Sequence, residues 1–348
     1  MDNHATEAQF GWPHVLSELV ARRDLPRASA ERVVASMLAG EASDAQIAGF
    51  LVGLASKGET TDELLGMRDA MFAASTPLSL PDGTVDIVGV GGSPQRRVAA
   101  FNVSTIASIV AAAAGATVCK HGNRKASSTS GSFDLLEAFG VNIEASPETV
   151  ARGVHELGVG FAFARAHHPS MRHVGPARTQ LGVPTVFNIL GPLAHPGRIR
   201  RQVLGVSDGG RAQQIANVVA DTDAEVVWVV HGHDDLDELS LTGPATVIEV
   251  RNGTQRTFTI DPHDYGMAVG DPDAIKGGDA ATNKLLAENV FSGAPSPNRD
   301  MVALNAAAGL VVSGITDDVG TGIEAASAAI DSGAATRKLA DLVQHTTA

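Results

Sequence analysis

Four short segments of the sequence combine polar side chains with glycines in patterns that suit a charged ligand. The first, DIVGVGGSPQRRVAAFNVST, runs from Asp86 to Thr105, and its apolar run leads to a Gly-x-Gly-Gly turn and the polar start of a helix. Backbone N–H groups at such a turn and helix start can bind an anion, and glycine lets the ligand approach closely. Alone this pattern is weak evidence, because a glycine-rich turn after a strand is more often only a tight connection.

The second segment, KHGNRKASSTSGS, runs from Lys120 to Ser132 between a predicted strand and a predicted helix. That position is at the carboxyl edge of the sheet, where open α/β sheets bind ligands. Its first five residues include a lysine, a histidine, an asparagine and an arginine, and four serines and a threonine follow. These groups suit phosphate and ribose hydroxyls. A solvated loop is the alternative, but two polar loops at one sheet edge favour a binding site.

The third segment, HGHDDLDELSLTG, places Asp237 and Glu238 side by side directly after a predicted strand. Paired carboxylates beside a hydroxyl are hard oxygen ligands for Mg²⁺, with a phosphate completing the shell. Asp234 and Asp235 are further candidate ligands. On composition alone, an acidic surface turn would be the preferred interpretation.

The fourth segment, from Ala164 to Leu193, mixes three histidines and three arginines with apolar stretches. The spacing of His167, His168 and His173 fits no standard zinc pattern, and the segment has no cysteine. A helix that carries Arg172 and Arg178 over a pocket is better suited to a carboxylate.

The periodicity of apolar residues indicates the elements that position these segments. The first ~75 residues predict four short helices, and Ser43 with Gln46 has the spacing of a capping box. The sequence TPLSLPDG then interrupts the pattern near residues 76–84, after which strands and helices alternate. We expect an α/β protein with a small N-terminal helical domain (1–78) and a larger α/β domain (79–348) whose central sheet is mainly parallel.

The composition of the chain indicates which kinds of binding partner are disfavoured. The 348 residues carry a formal net charge of −13 and only 4% aromatic residues, which argues against nucleic acid as the main partner. Cys119 is the single cysteine, so a disulfide within the chain is excluded, as is typical of a reducing cytosol. No signal peptide is visible, and the apolar runs are too short to span a bilayer. The expectation is a soluble cytoplasmic protein with no membrane partner.

Taken together, the segments resemble the anthranilate phosphoribosyltransferases, a family of the nucleoside-phosphorylase-like class. The resemblance runs nearly end to end and rests on KHGNR, SSTSGSFDLLEAFG, HHPSMRH, PTVFNILGPL and LDEL, in that order. It implies a helical domain, joined by helices near 165–190, that forms a homodimer, and an active site at the hinge to the α/β domain. The implied reaction transfers 5-phosphoribosyl from phosphoribosyl pyrophosphate to the amine of anthranilate, in tryptophan biosynthesis.

The resemblance assigns donor binding to the glycine-rich loop, the helix start and the serine-rich loop. The matching residues are Gly89, Gly91, Gly92, Asn102, Thr105, Ser127 and Ser128, with Lys120 near the phosphates. Ser104, Asp237 and Glu238 match the positions that hold magnesium, and two Mg²⁺ ions are implied.

The resemblance also assigns the path of the acceptor. Arg178 is expected to face the carboxylate of anthranilate. The other residues placed along this path are His121, Asn123, His168 and Met171. The expected catalytic residues are Lys120, Asn123 and Arg178.

The glycine-rich loop departs from the family pattern Gly-Thr-Gly-Gly-Asp. Val90 and Ser93 replace the threonine and the aspartate, and the run to Asn102 is three residues longer. The added residues include Arg96 and Arg97, which could contact the diphosphate directly. Three alternatives stay open: the same donor, a paralogue that uses another donor or aromatic acceptor, or a non-catalytic ligand-binding or nucleic-acid-binding relative. The intact KHGNR and LDEL motifs argue against the last, and the lysine-serine-rich pyrimidine site expected of a nucleoside phosphorylase is not found.

Overall fold

The computed structural model describes residues 11–91, 101–125, 129–267 and 271–348. The chain divides into two compact units. One comprises residues 1–75 and 168–194, and the other comprises residues 76–167 and 195–348.

The first unit is helical. Its N-terminal part contains α1 (Trp12–Val20), α2 (Arg27–Leu38), α3 (Asp44–Lys57) and α4 (Thr61–Ala73), as the periodicity predicted. The capping box predicted at Ser43 and Gln46 is confirmed at the start of α3, and Thr60 with Glu63 forms another at the start of α4. These caps satisfy backbone N–H groups that the first turn of a helix leaves without partners.

The core of this unit is apolar and contains a buried ion pair. Trp12 meets Phe50 edge to face, with ring centroids 6.4 Å apart. The carboxylate of Glu63, fully buried, accepts from Lys57 Nζ at 2.9 Å and from the backbone N–H of Leu25 at 2.8 Å. A buried carboxylate needs such partners, because desolvation otherwise disfavours its charged form.

The second segment of the first unit supplies three short elements. They are a 3₁₀ turn (Pro169–His173), then the helices that we number α9 (Gly175–Leu181) and α10 (Phe187–Leu193). Within the unit, α9 packs on α3 and α10 packs on α4.

The second unit is built on a seven-stranded sheet with the order β3-β2-β1-β4-β5-β6-β7. The strands are β1 (Val85–Gly89), β2 (Val118–Gly122), β3 (Val159–Phe163), β4 (Arg201–Gly205), β5 (Val226–His231), β6 (Ala245–Arg251) and β7 (Thr254–Ile260). The first five are parallel, while β6 and β7 are antiparallel to their neighbours. The prediction of a mainly parallel sheet is therefore confirmed.

The second unit also contains helices. They are α5 (Val103–Ala113), α6 (Ser132–Ala138), α7 (Pro147–Leu157), the single turn α8 (Ala164–His167), α11 (Gly209–Ala220), α12 (Ala280–Phe291), α13 (Pro297–Ser313), α14 (Val319–Asp331) and α15 (Ala334–Thr347). The small residues of α13 let it pack closely on α5, β1 and β4. Across the described ranges, no helix is long and apolar enough to cross a membrane.

Candidate active site

The carboxyl ends of β1 and β4 meet where the strand order reverses, which is where open α/β sheets bind ligands. Gly89 and Gly205 are register partners at these ends. Asp237 lies against both: its carboxylate fills the space of a Cβ on Gly89, and its backbone carbonyl fills that of a Cβ on Gly205. Only glycine fits at either position, so the two strand ends fix the place of Asp237.

The glycine-rich loop and the start of α5 both contact the acidic pair. Asp237 and Glu238 are buried, with 2% and 5% exposure. The backbone N–H of Gly91 donates to Asp237 Oδ2 at 2.9 Å, from a left-handed conformation (φ +70°) that glycine adopts without strain. The N–H of Ser104 donates to Glu238 Oε1 at 3.3 Å. The predicted donor loop and predicted metal ligands are thus brought together.

The acidic pair has the donor chemistry that Mg²⁺ requires. Two adjacent buried carboxylates offer hard oxygens, and Mg²⁺ is usually held by one or two carboxylates plus substrate phosphates and water. In residues 11–91, 101–125, 129–267 and 271–348, no cluster of three or more His, Cys, Asp or Glu side chains is arranged for a metal. The pair fits an ion whose shell the substrate completes.

The turn before the pair is tightly folded. Asp234 and Asp235 both adopt left-handed backbone angles (φ 57° and 56°), and the N–H of Gly232 donates to the carbonyl of Leu236 at 2.8 Å. Both aspartates are exposed. Asp234 and Asp235 therefore differ from Asp237 and Glu238, which are buried.

A network of amides holds the start of α5. Asn102 Oδ1 accepts from Ser130 Oγ at 2.9 Å and from Asn283 Nδ2 at 2.8 Å. This joins the predicted helix start to the end of the serine-rich loop and to α12. The neighbouring Thr105 is buried, and its hydroxyl has no hydrogen-bond partner among the described residues.

Lys120 on β2 and Asp86 on β1 are buried on neighbouring strands of the sheet. Lys120 Nζ donates to the carbonyl of Ile87 at 2.6 Å. The carboxylate of Asp86 accepts from the N–H of His121 on β2 and from Gln202 Nε2 on β4, each at 3.2 Å. Burial raises the pKa of the Asp86 carboxyl to about 7, against the lowering effects of Lys120 and of these hydrogen bonds. Asp86 therefore ties β1 to the strands on both sides.

A second histidine, which the sequence analysis did not select, lies against His121. The ring of His195 meets the ring of His121 edge to face, with centroids 5.5 Å apart. His195 Nδ1 accepts from the N–H of Gly197 at 3.0 Å, so its Nε2, which lies 3.0 Å from the carbonyl of Cys119, carries the proton. His195 is thus fixed as a neutral imidazole beside the KHGNR motif.

The rest of the KHGNR motif is more exposed. Asn123 is exposed, and its backbone carbonyl accepts from Ser132 Oγ at 3.1 Å. Arg124 forms a bidentate ion pair with Glu137 of α6, at 2.8 and 2.9 Å. Arg124 therefore braces the loop, and the side chain of Asn123 stays at the surface.

The remaining predicted acceptor residues belong to the helical unit. Arg178 on α9 donates through Nη2 to Asn188 Oδ1 at 3.3 Å, and its guanidinium lies 5.5 Å from the ring centroid of Phe187. Burial lowers the pKa of the Arg178 guanidinium. His168 is buried and its carbonyl accepts from the N–H of the half-buried Met171 at 3.1 Å.

Five predicted site residues lie outside the described part of the chain. They are Gly92, Arg96, Arg97, Ser127 and Ser128.

Comparison with known proteins identifies the family. Residues 81–336 match the model of the glycosyl transferase family, a/b domain, and residues 13–75 match its helical bundle domain. Anthranilate phosphoribosyltransferases of Myxococcus xanthus (strain DK1622) and Rhodopseudomonas palustris (strain TIE-1) are 47% and 43% identical to the chain. Each match covers 94% of this chain, and 97% and 96% of the respective relatives. The chain belongs to the anthranilate phosphoribosyltransferase family.

Solved structures of anthranilate phosphoribosyltransferases agree with this membership. The Thermus thermophilus enzyme is 40% identical with a TM-score of 0.89, over 96% of this chain and 99% of that one. The Saccharomyces cerevisiae enzyme in complex with PRPP and Mg is 27% identical with a TM-score of 0.87, over 99% of both chains. The yeast enzyme has also been solved with 4-fluoroanthranilate, at 26% identity and a TM-score of 0.84, over 97% of this chain and 99% of that one.

In this member of the anthranilate phosphoribosyltransferase family, several polar residues near the site were not identified from the sequence. Asp86 lies within an otherwise apolar strand, and Asn305 lies within the apolar helix segment ALNAAAGL, where each is the one polar side chain. A buried polar residue in an apolar element needs a hydrogen-bond partner, so the sequence alone could have identified Asp86 and Asn305 as residues with a structural role. Asn283 and His195 stand in less distinctive surroundings, and their contacts come from chain segments far away in sequence.

Proposed function

We propose that the chain catalyses the transfer of 5-phosphoribosyl from phosphoribosyl pyrophosphate to the amine of anthranilate. The products are N-(5-phosphoribosyl)anthranilate and pyrophosphate, a step of tryptophan biosynthesis. The observation that carries the proposal is the match to anthranilate phosphoribosyltransferases over 94% of the chain, at 47% identity for the Myxococcus xanthus relative. The yeast relative in complex with PRPP and Mg supports the donor, and its complex with 4-fluoroanthranilate supports the acceptor.

The donor would bind at the carboxyl ends of β1 and β4. There the left-handed Gly91, the N-terminus of the eleven-residue helix α5 and the hydroxyl of Thr105 offer polar groups to a diphosphate. Asp237, Glu238 and Ser104 would hold Mg²⁺, and we propose two ions. When bound, Mg²⁺ neutralises the negative charge that develops on the departing pyrophosphate.

The acceptor would be oriented by its carboxylate. Arg178 offers a planar set of N–H donors that matches a carboxylate. The amine nitrogen of anthranilate forms a bond to C1 of the ribose as the bond from C1 to pyrophosphate breaks, and the nitrogen then loses one proton to water. An aryl amine is already nucleophilic, so positioning contributes more than a strong base.

Arg96 and Arg97 leave a second candidate function open. Two added cations in the glycine-rich loop, with Val90 and Ser93 in place of threonine and aspartate, would suit a different phosphorylated donor or aromatic acceptor. Arg96→Ala and Arg97→Ala distinguish the two functions: a contact with the diphosphate of phosphoribosyl pyrophosphate predicts a raised KM for that donor, whereas an unchanged KM would contradict this contact and favour the second function.

The experiment that tests the main proposal follows the fluorescence of anthranilate. Purified protein with phosphoribosyl pyrophosphate and Mg²⁺ is expected to remove this fluorescence, and omission of the donor or of Mg²⁺ is expected to prevent the loss. Fluorescence that persists with all components present, together with no heat of binding of the donor in calorimetry, would contradict the proposal.

We further propose a cytoplasmic homodimer formed through the helical unit. The proposal rests on the family resemblance; Val20 at the end of α1 is 84% exposed and Val52 on α3 is 46% exposed, and both apolar side chains would be covered in such an interface. Sedimentation equilibrium of the wild type and of Val20→Asp with Val52→Asp tests the dimer, because the charges are expected to shift it toward monomers.

A further inference from the structure

The side-chain oxygen of Asn188 joins two donors in the helical unit. Asn188 is the second residue of α10, and its Oδ1 accepts from the backbone N–H of Thr185 at 3.0 Å. The same oxygen accepts from Arg178 Nη2 at 3.3 Å. A backbone N–H can only donate, so the Thr185 bond fixes which end of the Asn188 amide faces Arg178.

Arg178 keeps its positive charge without a carboxylate beside it. Burial is the one cause that acts on its pKa, and no neighbouring charge contributes among the described residues. Phe187 supports the guanidinium from one side, and Asn188 binds one nitrogen. A guanidinium has five N–H donors, so further donors remain for a ligand.

We propose that Asn188 is a positioning residue for Arg178, which it orients toward the carboxylate of the acceptor while leaving the charge of the guanidinium unneutralised. The proposal rests on the proposed function of Arg178. An aspartate in the same place would accept the same two hydrogen bonds but would also neutralise Arg178 and compete with the ligand. A neutral acceptor is therefore the feature that keeps this site selective for an anion.

Asn188→Asp separates this role from a purely structural one. The substitution preserves both accepted hydrogen bonds, so the variant is expected to keep the wild-type circular dichroism spectrum and a melting temperature near the wild type. The KM and the equilibrium Kd for anthranilate are expected to rise on the order of tenfold or more, as for loss of a bond to a charged group. The KM for phosphoribosyl pyrophosphate is expected to stay within about twofold.

Gln180→Glu is the matched control. Gln180 lies on the same helix as Arg178 but is exposed, so this variant adds the same charge without the contact. Its Kd for anthranilate is expected to remain near the wild type. An equal rise in both variants would overturn the proposal, because it would reflect only a general change of charge.

Asn188→Ala and a double-mutant cycle provide a second route if Asn188→Asp does not fold. In the Arg178→Ala background, removal of the Asn188 amide is expected to leave the Kd for anthranilate unchanged, because Asn188 acts through Arg178. An Asn188 effect of equal size in both backgrounds would overturn the proposal.

Separate measurements of anthranilate binding and of anthranilate turnover distinguish failure of this proposal from failure of the proposed function. A wild type that binds anthranilate without turnover contradicts the function, and the Kd comparison still decides the role of Asn188. A wild type that turns over anthranilate, with Asn188→Asp unchanged in Kd and KM, overturns the positioning role alone. A wild type that neither binds nor converts anthranilate overturns both.

Discussion

The side-chain amide of Asn305 forms hydrogen bonds with both the backbone N–H and the backbone carbonyl of Leu239. Its Oδ1 accepts the N–H of Leu239 at 3.1 Å, and its Nδ2 donates to the carbonyl of the same residue at 2.8 Å. Both residues are buried, and Leu239 directly follows Glu238. The helix α13 therefore fixes the backbone at the acidic pair.

Asn305→Ala should lower the free energy of unfolding by about 3 kcal/mol, because two buried backbone groups lose their partners. Urea denaturation measures the loss. Asn298→Ala on the same helix is the control, since Asn298 is buried and its side-chain nitrogen has no hydrogen-bond partner among the described residues. Equal losses in the two variants would show that the Leu239 contact has no special weight.

Gly205→Ala should displace Asp237. The added Cβ would overlap the backbone carbonyl of Asp237, and neither strand β4 nor the buried acid can move freely. Activity at low Mg²⁺ is expected to fall at least tenfold and to recover in part at high Mg²⁺. Gly175→Ala serves as the control, because a Cβ there meets no atom within 4 Å. The idea fails if both variants respond to Mg²⁺ as the wild type does.

Asp237→Asn should weaken binding of the divalent ion. Replacing a carboxylate ligand by an amide removes a charge, so the Kd for Mn²⁺, followed by electron paramagnetic resonance in the presence of the donor, is expected to rise more than tenfold. Asp234→Asn is the matched control: Asp234 is exposed and left-handed, and asparagine tolerates that conformation well. Unchanged Mn²⁺ binding in Asp237→Asn would remove this residue from the metal site.

Asp86→Asn should flatten the dependence of stability on pH. The folded pKa of about 7 lies above the ordinary value of 3.8, so between about pH 4 and pH 7 the folded state binds more protons than the unfolded state. Asp86 therefore makes the wild type less stable as pH rises through this window, by up to about 1.4 kcal/mol per pH unit. Asp86→Asn lacks this contribution and should gain stability relative to the wild type toward pH 7.

Urea denaturation at pH 5 and pH 7.5 measures this difference. Asp82→Asn, an exposed substitution four residues earlier, is expected to follow the wild-type curve. Parallel curves for Asp86→Asn and the wild type would contradict the protonation of Asp86 in the fold.

Local sequence signals located many of the helices and strands and the polar residues at the sheet edge, whereas the ligand-binding roles of those residues came from the family resemblance. The capping box at Ser43, the helix start at Asn102 and the acidic pair at Asp237 are short-range patterns, each set by residues within a few positions. Helix caps and strand ends obey local chemistry, so such patterns can be identified without a structure.

The supporting residues could not be predicted in the same way. Asn283 reaches Asn102 across 181 positions, and Asn305 reaches Leu239 across 66. The antiparallel pair β6 and β7 is likewise set by tertiary pairing, and the sequence analysis did not predict β7 (Thr254–Ile260). Long-range partners depend on the whole topology, which a local pattern does not contain.

Gly89 and Gly205 are register partners, so the alignment of β1 with β4 determines whether Asp237 can occupy the proposed ion site. A slip of one residue between β1 and β4 would set Leu204 or Val206, rather than Gly205, opposite Gly89 beneath Asp237. A misaligned sheet would therefore have no room for the carboxylate of Asp237, so binding of a divalent cation at the proposed site would require the correct register of β1 and β4.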